Sequence, residues 1–202
     1  MTNPAKWAAT VYVVDDDPMV LKMLQALIAT IGVEVRAFAS GAAFLAAYQP
    51  MPCACLVCDL RMPDIDGMAL QQRLKVTDAA LPIIFLSGFA EVGVAVEAMR
   101  HGAFDFIEKP FSAQALLGKI QAALERSRVQ HAQWLEQQAR EARLALLTPR
   151  ERSIVRQVVD GKSSREISEL LGINVRTVEN HRLRIMEKLR ADSTVSLVKL
   201  FL

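Results

Sequence analysis

Four short apolar runs, each closed by a chemically active side chain, constrain most strongly what this chain can fold into. Val11-Tyr-Val-Val ends in Asp15-Asp16-Asp17, and Ala54-Cys-Leu-Val-Cys ends in Asp59. Ile83-Ile-Phe-Leu ends in Ser87-Gly88, and Phe104-Asp-Phe-Ile is followed by Glu108-Lys109-Pro110. Apolar runs of this length between breakers suit strands buried on both faces. Helical patterns lie between them. Pro18 opens a stretch in which Leu21, Leu24, Leu27, Ile28 and Ile31 recur at helical spacing, and Gly32 closes it. A further strand is predicted over 33–38, and Ser40 caps a short helix over 41–47. Helices are also predicted over 67–76, 91–100 and from Ser112 onward. Five βα units in this rhythm predict an α/β, doubly wound, five-stranded parallel sheet with helices on both faces. Ligands of such sheets sit outside the carboxyl ends of the strands. All four polar strand ends therefore share one rim.

That company decides how Asp59 is read. A lone strand-end aspartate is more often a cap for the next turn or helix. Here Asp15, Asp16 and Asp59 cluster, and their repulsion costs several kcal/mol unless a cation offsets it. Carboxylate oxygens suit Mg²⁺, which keeps waters and favours phosphate oxygens. Asp59 can then act as a nucleophile toward phosphorus, giving an acyl phosphate. Mg²⁺ and the Lys109 ammonium stabilise charge on the transferring oxygens.

Composition excludes several other classes. The chain is 52% hydrophobic and 23% charged, which is globular rather than disordered. No apolar run approaches the roughly 18 residues needed to span a bilayer, and residues 1–9 lack the apolar core of a signal peptide. A soluble cytoplasmic protein with no membrane partner is the expectation. The three cysteines, Cys53, Cys55 and Cys58, are spaced C-x-C-x-x-C. On a strand the first two face one side and the third the other, so they read as small buried residues rather than a metal or redox site. Charge is uneven: residues 1–126 hold 10 basic and 13 acidic side chains, whereas residues 148–202 hold 11 and 7. A basic module behind an acidic one fits a nucleic-acid reader under separate control.

The second half reads as helices. From Lys119 to Thr148 there is neither Gly nor Pro. A linker helix over 127–147, or a tether with nascent helix, joins the two parts, and Trp134 and Leu135 on it call for burial, against a domain or a second chain. Thr148-Pro-Arg-Glu151 and Ser163-Ser-Arg-Glu166 are capping boxes that open two helices. Gly172 lies in the following turn, Asn174 caps a helix over 175–189, and Asp192 or Ser193 caps a last apolar one. Two helices joined by a short Gly turn form a helix-turn-helix, whose second helix enters the major groove. On that helix Val178, Ile185 and Leu189 lie on one line, the core stripe. Arg176, Asn180, Leu183 and Glu187 point away. Leu183 on the wet face suits a thymine methyl, Asn180 an adenine, and Arg176 a phosphate or guanine. Glu179 suits a cytosine, and Lys162, Thr177, Arg184 and Lys188 are phosphate candidates. His181 lies nearer the core.

These motifs resemble a two-component response regulator of the FixJ/NarL group. Residues 9–126 are similar to the flavodoxin-like phosphoacceptor receiver domain. Residues 148–202 are similar to the LuxR-type helix-turn-helix output domain, a small four-helix all-α unit. The signature is carried by Asp15-Asp16, Asp59, Ser87 and Lys109-Pro110, with Leu147-Thr-Pro-Arg-Glu-Arg and Arg176-Thr-Val-Glu-Asn-His. The resemblance implies strand order 2-1-3-4-5 and Asp59 as phosphoacceptor. It implies Mg²⁺ on Asp15, Asp16, Asp59 and the backbone carbonyl of Arg61. Ser87 and Phe106 become the switch pair beside Lys109, and Lys109-Pro110 a cis peptide. Asp17 stays outside the site as the residue opening the first helix. The implied partners are a sensor histidine kinase, a double-stranded DNA operator, a second copy of the phosphorylated chain and RNA polymerase. No catalytic turnover is implied beyond Mg²⁺-dependent self-phosphorylation and dephosphorylation of Asp59. A haloacid-dehalogenase-like phosphatase, which Asp15-x-Asp17 also resembles, needs an acid pair after the lysine, and residues 110–123 contain no Asp or Glu.

Overall fold

A computed structural model describes residues 9–78, 80–88 and 92–201. Residues 1–8, Glu91 (expected to open the fourth helix) and Leu202 lie outside the described residues. The chain divides into two compact units between Ala132 and Gln133.

In the first unit β1 (Thr10–Val14), β2 (Glu34–Phe38), β3 (Ala54–Asp59), β4 (Ile83–Ser87) and β5 (Asp105–Glu108) form one parallel sheet. Its order is β2-β1-β3-β4-β5. The crossovers are α1 (Pro18–Ala29), α2 (Gly41–Ala47), α3 (Gly67–Thr77) and α4 (Val92–Arg100), and α5 (Ala113–Ala145) follows β5. The period-two alternation of strands feeds two separate cores. Tyr12, Val14, Leu56, Cys58 and Phe85 enter one, with Phe44, Leu70 and Leu74 from α2 and α3. Val11, Val13, Cys55, Val57, Ile84 and Leu86 enter the other, with Leu24, Ile28, Leu116 and Ile120 from α1 and α5. Each such side chain contributes about 1.5–3 kcal/mol on burial. Cys58 and Cys55 thus lie on opposite faces, and all three thiols are free.

Local caps match the motifs. The Asp17 side chain accepts from the Met19 amide at 2.8 Å and opens α1. Ser40 caps α2, and Ser112 accepts from Ala115 N at 3.1 Å ahead of α5. α5 is a single helix of 33 residues, so the linker is helical as far as Ala145. Within the single chain Trp134 and Leu135 are 55% and 51% exposed, which leaves a second chain as the expected cover. Among the described residues no helix is long and apolar enough to cross a membrane.

The second unit contains α6 (Pro149–Val159), α7 (Ser164–Leu171), α8 (Val175–Leu189) and α9 (Thr194–Lys199). Its core gathers Leu147, Ile154, Val158, Ile167, Val178, Ile185, Leu189 and Leu197. Gly172 ends α7 at φ 61° and ψ 37°, a left-handed conformation that glycine adopts at no steric cost. Ser193, the second of the two cap candidates, caps α9.

Glu151 does more here than complete a capping box. One oxygen, Oε2, accepts from Thr148 N at 2.8 Å and from Lys188 Nζ at 2.7 Å. This joins α6 to α8 through a carboxylate only 4% exposed. The Lys188 ammonium first, then the Thr148 amide, hold the Glu151 carboxyl at about 2, against an ordinary 4.5. A depressed folded pKa stabilises the fold above the unfolded value and loses that contribution as pH falls toward the folded one. We therefore expect the hydrogen-exchange protection factors of the α6 and α8 amides to fall between about pH 4.5 and pH 2. Glu151→Gln should flatten that dependence and cost about 1–2 kcal/mol of stability at neutral pH.

Candidate functional site

The carboxyl ends of β1, β3, β4 and β5 bring the expected polar groups to one rim. Asp15 follows β1 directly and is 2% exposed; Asp59 ends β3 and is 8% exposed. Lys109 follows β5, and its Nζ donates to Asp15 Oδ2 at 2.9 Å and to Asp59 Oδ1 at 2.6 Å. The lysine backbone is fixed too: Lys109 N donates to Ser87 O at 2.7 Å, and the Lys109–Pro110 peptide is cis. The remaining carboxylate oxygens also have partners. Asp59 Oδ2 accepts from Arg61 N at 2.8 Å, and Asp15 Oδ1 accepts from Asp17 N at 2.9 Å.

The electrostatics follow from this enclosure. Burial raises the Asp15 pKa, and the Asp17 amide and Lys109 offset only part of the rise. Burial pulls the Lys109 ammonium down, but hydrogen bonds to Asp59 and Asp15 outweigh it, so the net shift is upward. Lys109 is therefore held protonated. Ser87 is buried at the end of β4, in register with Glu108. Phe106 is half-buried and packs against the first core.

A small hard cation suits this donor set, because carboxylate and main-chain oxygens are the ligands Mg²⁺ prefers. Asp15 is buried with a raised pKa, so a further positive charge beside it is favourable. Asp16 is exposed. Among the described residues no three acidic, histidine or cysteine side chains stand already gathered as a metal cluster. The expected set, Asp15, Asp16, Asp59 and the Arg61 carbonyl, would still leave Mg²⁺ room for waters.

In the second unit α7 and α8 flank the Gly172 turn. Val178, Ile185 and Leu189 are buried, whereas Arg176, Thr177, Glu179, Asn180, Arg184 and Glu187 are exposed. Leu183 is 61% exposed on that same face. Asn174 accepts from Arg176 N at 2.7 Å, so α8 begins at the polar face. Two of the expected phosphate contacts have partners inside the fold. Lys188 is paired with Glu151, and Lys162 hydrogen-bonds Gln157 with Asp160 at 3.9 Å. His181 is half-buried, with Nδ1 enclosed.

Sequence reasoning missed Arg182. It donates to Ser164 Oγ at 3.2 Å and to Thr194 Oγ1 at 3.0 Å, bracing α8 against the starts of α7 and α9. Its partners lie 18 and 12 residues away, beyond any local spacing rule. Arg150 was likewise unassigned, and it donates to Leu171 O at 2.9 Å.

Known proteins match both units. The family model for the response regulator receiver domain covers residues 11–121, and that for bacterial regulatory proteins of the luxR family covers residues 145–201. The transcriptional regulatory protein TdiR of Thauera aromatica is 42% identical over 95% of this chain and 84% of its own. The transcriptional regulatory protein FixJ of Azorhizobium caulinodans is 39% identical over 95% and 91%. The solved structure of the response regulator StyR aligns with a TM-score of 0.85 at 36% identity, over 96% of this chain and 98% of that one. With a receiver domain followed by a LuxR-type DNA-binding domain, this chain belongs to the response regulator transcription factors.

Proposed function

We propose that this regulator is controlled by phosphorylation of Asp59, with the phosphoryl group supplied by the phosphohistidine of a partner sensor histidine kinase. The observation that carries the reading is the Lys109 ammonium shared between Asp15 and Asp59. A carboxylate oxygen of Asp59 attacks phosphorus, the donor P–N bond breaks, and its electron pair stays on the departing imidazole. Lys109 follows the developing charge onto a phosphoryl oxygen and keeps Asp15 as its second partner. Asp15, Asp16, Asp59 and the Arg61 carbonyl would hold Mg²⁺. When bound there, Mg²⁺ supplies the charge that lets carboxylates and phosphoryl oxygens crowd together.

Phosphorylation adds about −1.5 to −2 charge at the rim. Ser87 then donates to a phosphoryl oxygen, and Phe106 packs into the space the serine leaves. With no hydroxyl on Phe106, the signal reaches the face of α4, β5 and α5 through packing. We assign residues 9–126 to the receiver, 127–147 to the linker and 148–202 to the output. Phosphorylated chains pair, and two copies of α8 read half-sites of a double-stranded operator. Arg176, Thr177, Glu179, Asn180, Leu183 and Arg184 make the contacts, with Lys162 and Lys188 at the margin. RNA polymerase is the further partner, and the cytoplasm is the place of action.

Asp59→Asn should abolish labelling by a small phosphodonor in gel autoradiography; undiminished labelling would move the acceptor elsewhere. Lys109→Ala should retain Asp59 but slow labelling at least tenfold, on the order of one lost transition-state charge contact. For the output unit, Arg184→Ala should weaken operator and non-operator DNA alike. It should also flatten the slope of log affinity against log salt by about one unit. Lys188→Ala should instead lower the thermal stability of the unit and change that slope less, because its ammonium is committed to Glu151.

A further inference from the structure

The loop from Leu60 to Asp66 carries the Arg61 main chain past Asp59. Its two ends are closed tightly: Leu60 N donates to Leu86 O at 2.9 Å, and Gly67 N donates to Leu60 O at 2.9 Å. A Cβ on Gly67 would lie 2.8 Å from Asp59 O and 2.9 Å from the Phe85 ring, so residue 67 closes directly on the main chain of Asp59. Met62 is buried in the first core. Beyond Met62 the chain turns outward, and Pro63 and Asp64 are exposed. This outer half is caught from the side. Asp64 Oδ2 accepts from Ala42 N at 3.0 Å, and Ile65 presses on Gly41, where a Cβ would lie 3.1 Å from Ile65 Cβ and O.

We propose that Asp64 is a positioning residue for the phosphoryl-transfer site. By fastening the outer half of the loop to Ala42, it holds the Arg61 main chain where the cation and Asp59 require it. The proposal rests on the reading of Asp59 as phosphoacceptor and Arg61 as carbonyl ligand. Asp64 lies five residues from Asp59 in sequence, and among the described residues its side chain bonds Ala42 N rather than Asp15, Asp59 or Lys109; it acts through the loop. The Ala42 and Ile65 amides hold its carboxyl below the ordinary carboxylate range, as expected of an anion with a fixed bonding role. A fastening of this kind matters because losing an outer-sphere partner typically costs a metal site about 10–100-fold in affinity.

The test uses the full chain and Mg²⁺ alone, without phosphodonor. Asp64→Ala should weaken Mg²⁺ binding about tenfold by calorimetry. It should also accelerate exchange of the Ala42 and Arg61 amides, with little change in melting temperature because the side chain is exposed. Asp64→Asn keeps one acceptor oxygen and should fall between Ala and the native residue. Native-like Mg²⁺ affinity in Asp64→Ala overturns the proposal, as does weakened binding with unchanged Arg61 exchange. Asp59→Asn is measured alongside for labelling. If it still labels, the underlying phosphoacceptor reading fails. If it does not label and Asp64→Ala binds Mg²⁺ normally, the tether alone fails.

Discussion

One ammonium makes the first unit's rim possible. Asp15 and Asp59 are both nearly enclosed, and two buried carboxylates facing each other without a counter-charge repel strongly. Lys109 Nζ bonds to both, from positions 94 and 50 residues away in the chain. The fold delivers that ammonium by short steps. β5 pairs with β4, Lys109 N bonds Ser87 O, and the side chain reaches Asp15 and Asp59 from there. A parallel sheet suits the task because all its strand ends emerge on one side. The two cores on its faces hold the strand ends, and with them the charged groups, in place.

The output unit follows a similar logic with one acid. Glu151 is placed by a local motif, the capping box, and then used for a tertiary purpose, the bond to Lys188. Arg182 adds a second brace from α8 to Ser164 and Thr194. Both hold α8 by its flanks and leave the face with Arg176, Asn180 and Leu183 open. A helix whose angle is fixed before binding loses less freedom on docking.

What was legible in the amino-acid sequence was what has a local or periodic cause. Apolar runs between breakers placed all five strands, and caps placed the helix starts, including Asp17, Ser40, Thr148 and Ser163. Strand ends were read one residue short at Asp59 and Ser87, because the reading stopped at the last apolar residue while the ladder ran on. The strand order and the site came from matching motifs, since spacing alone does not say which strands pair. The internal partners of Lys188, Lys162 and Arg182 were illegible for a related reason. A cation on an exposed helix face looks the same whether its partner is a phosphate or a carboxylate brought in from another helix.

The pairings on α8 also change how its electrostatic reach is counted. Formal charge credits every lysine and arginine of the output unit to the surface potential. Lys188 is cancelled at close range by Glu151, so its field dies within the fold. Among the described residues Arg176 and Arg184 carry no ion pair, and they project from exposed positions. Arg176 and Arg184 therefore keep their charge at the exposed face that bears Leu183, whereas Lys188 does not add to it.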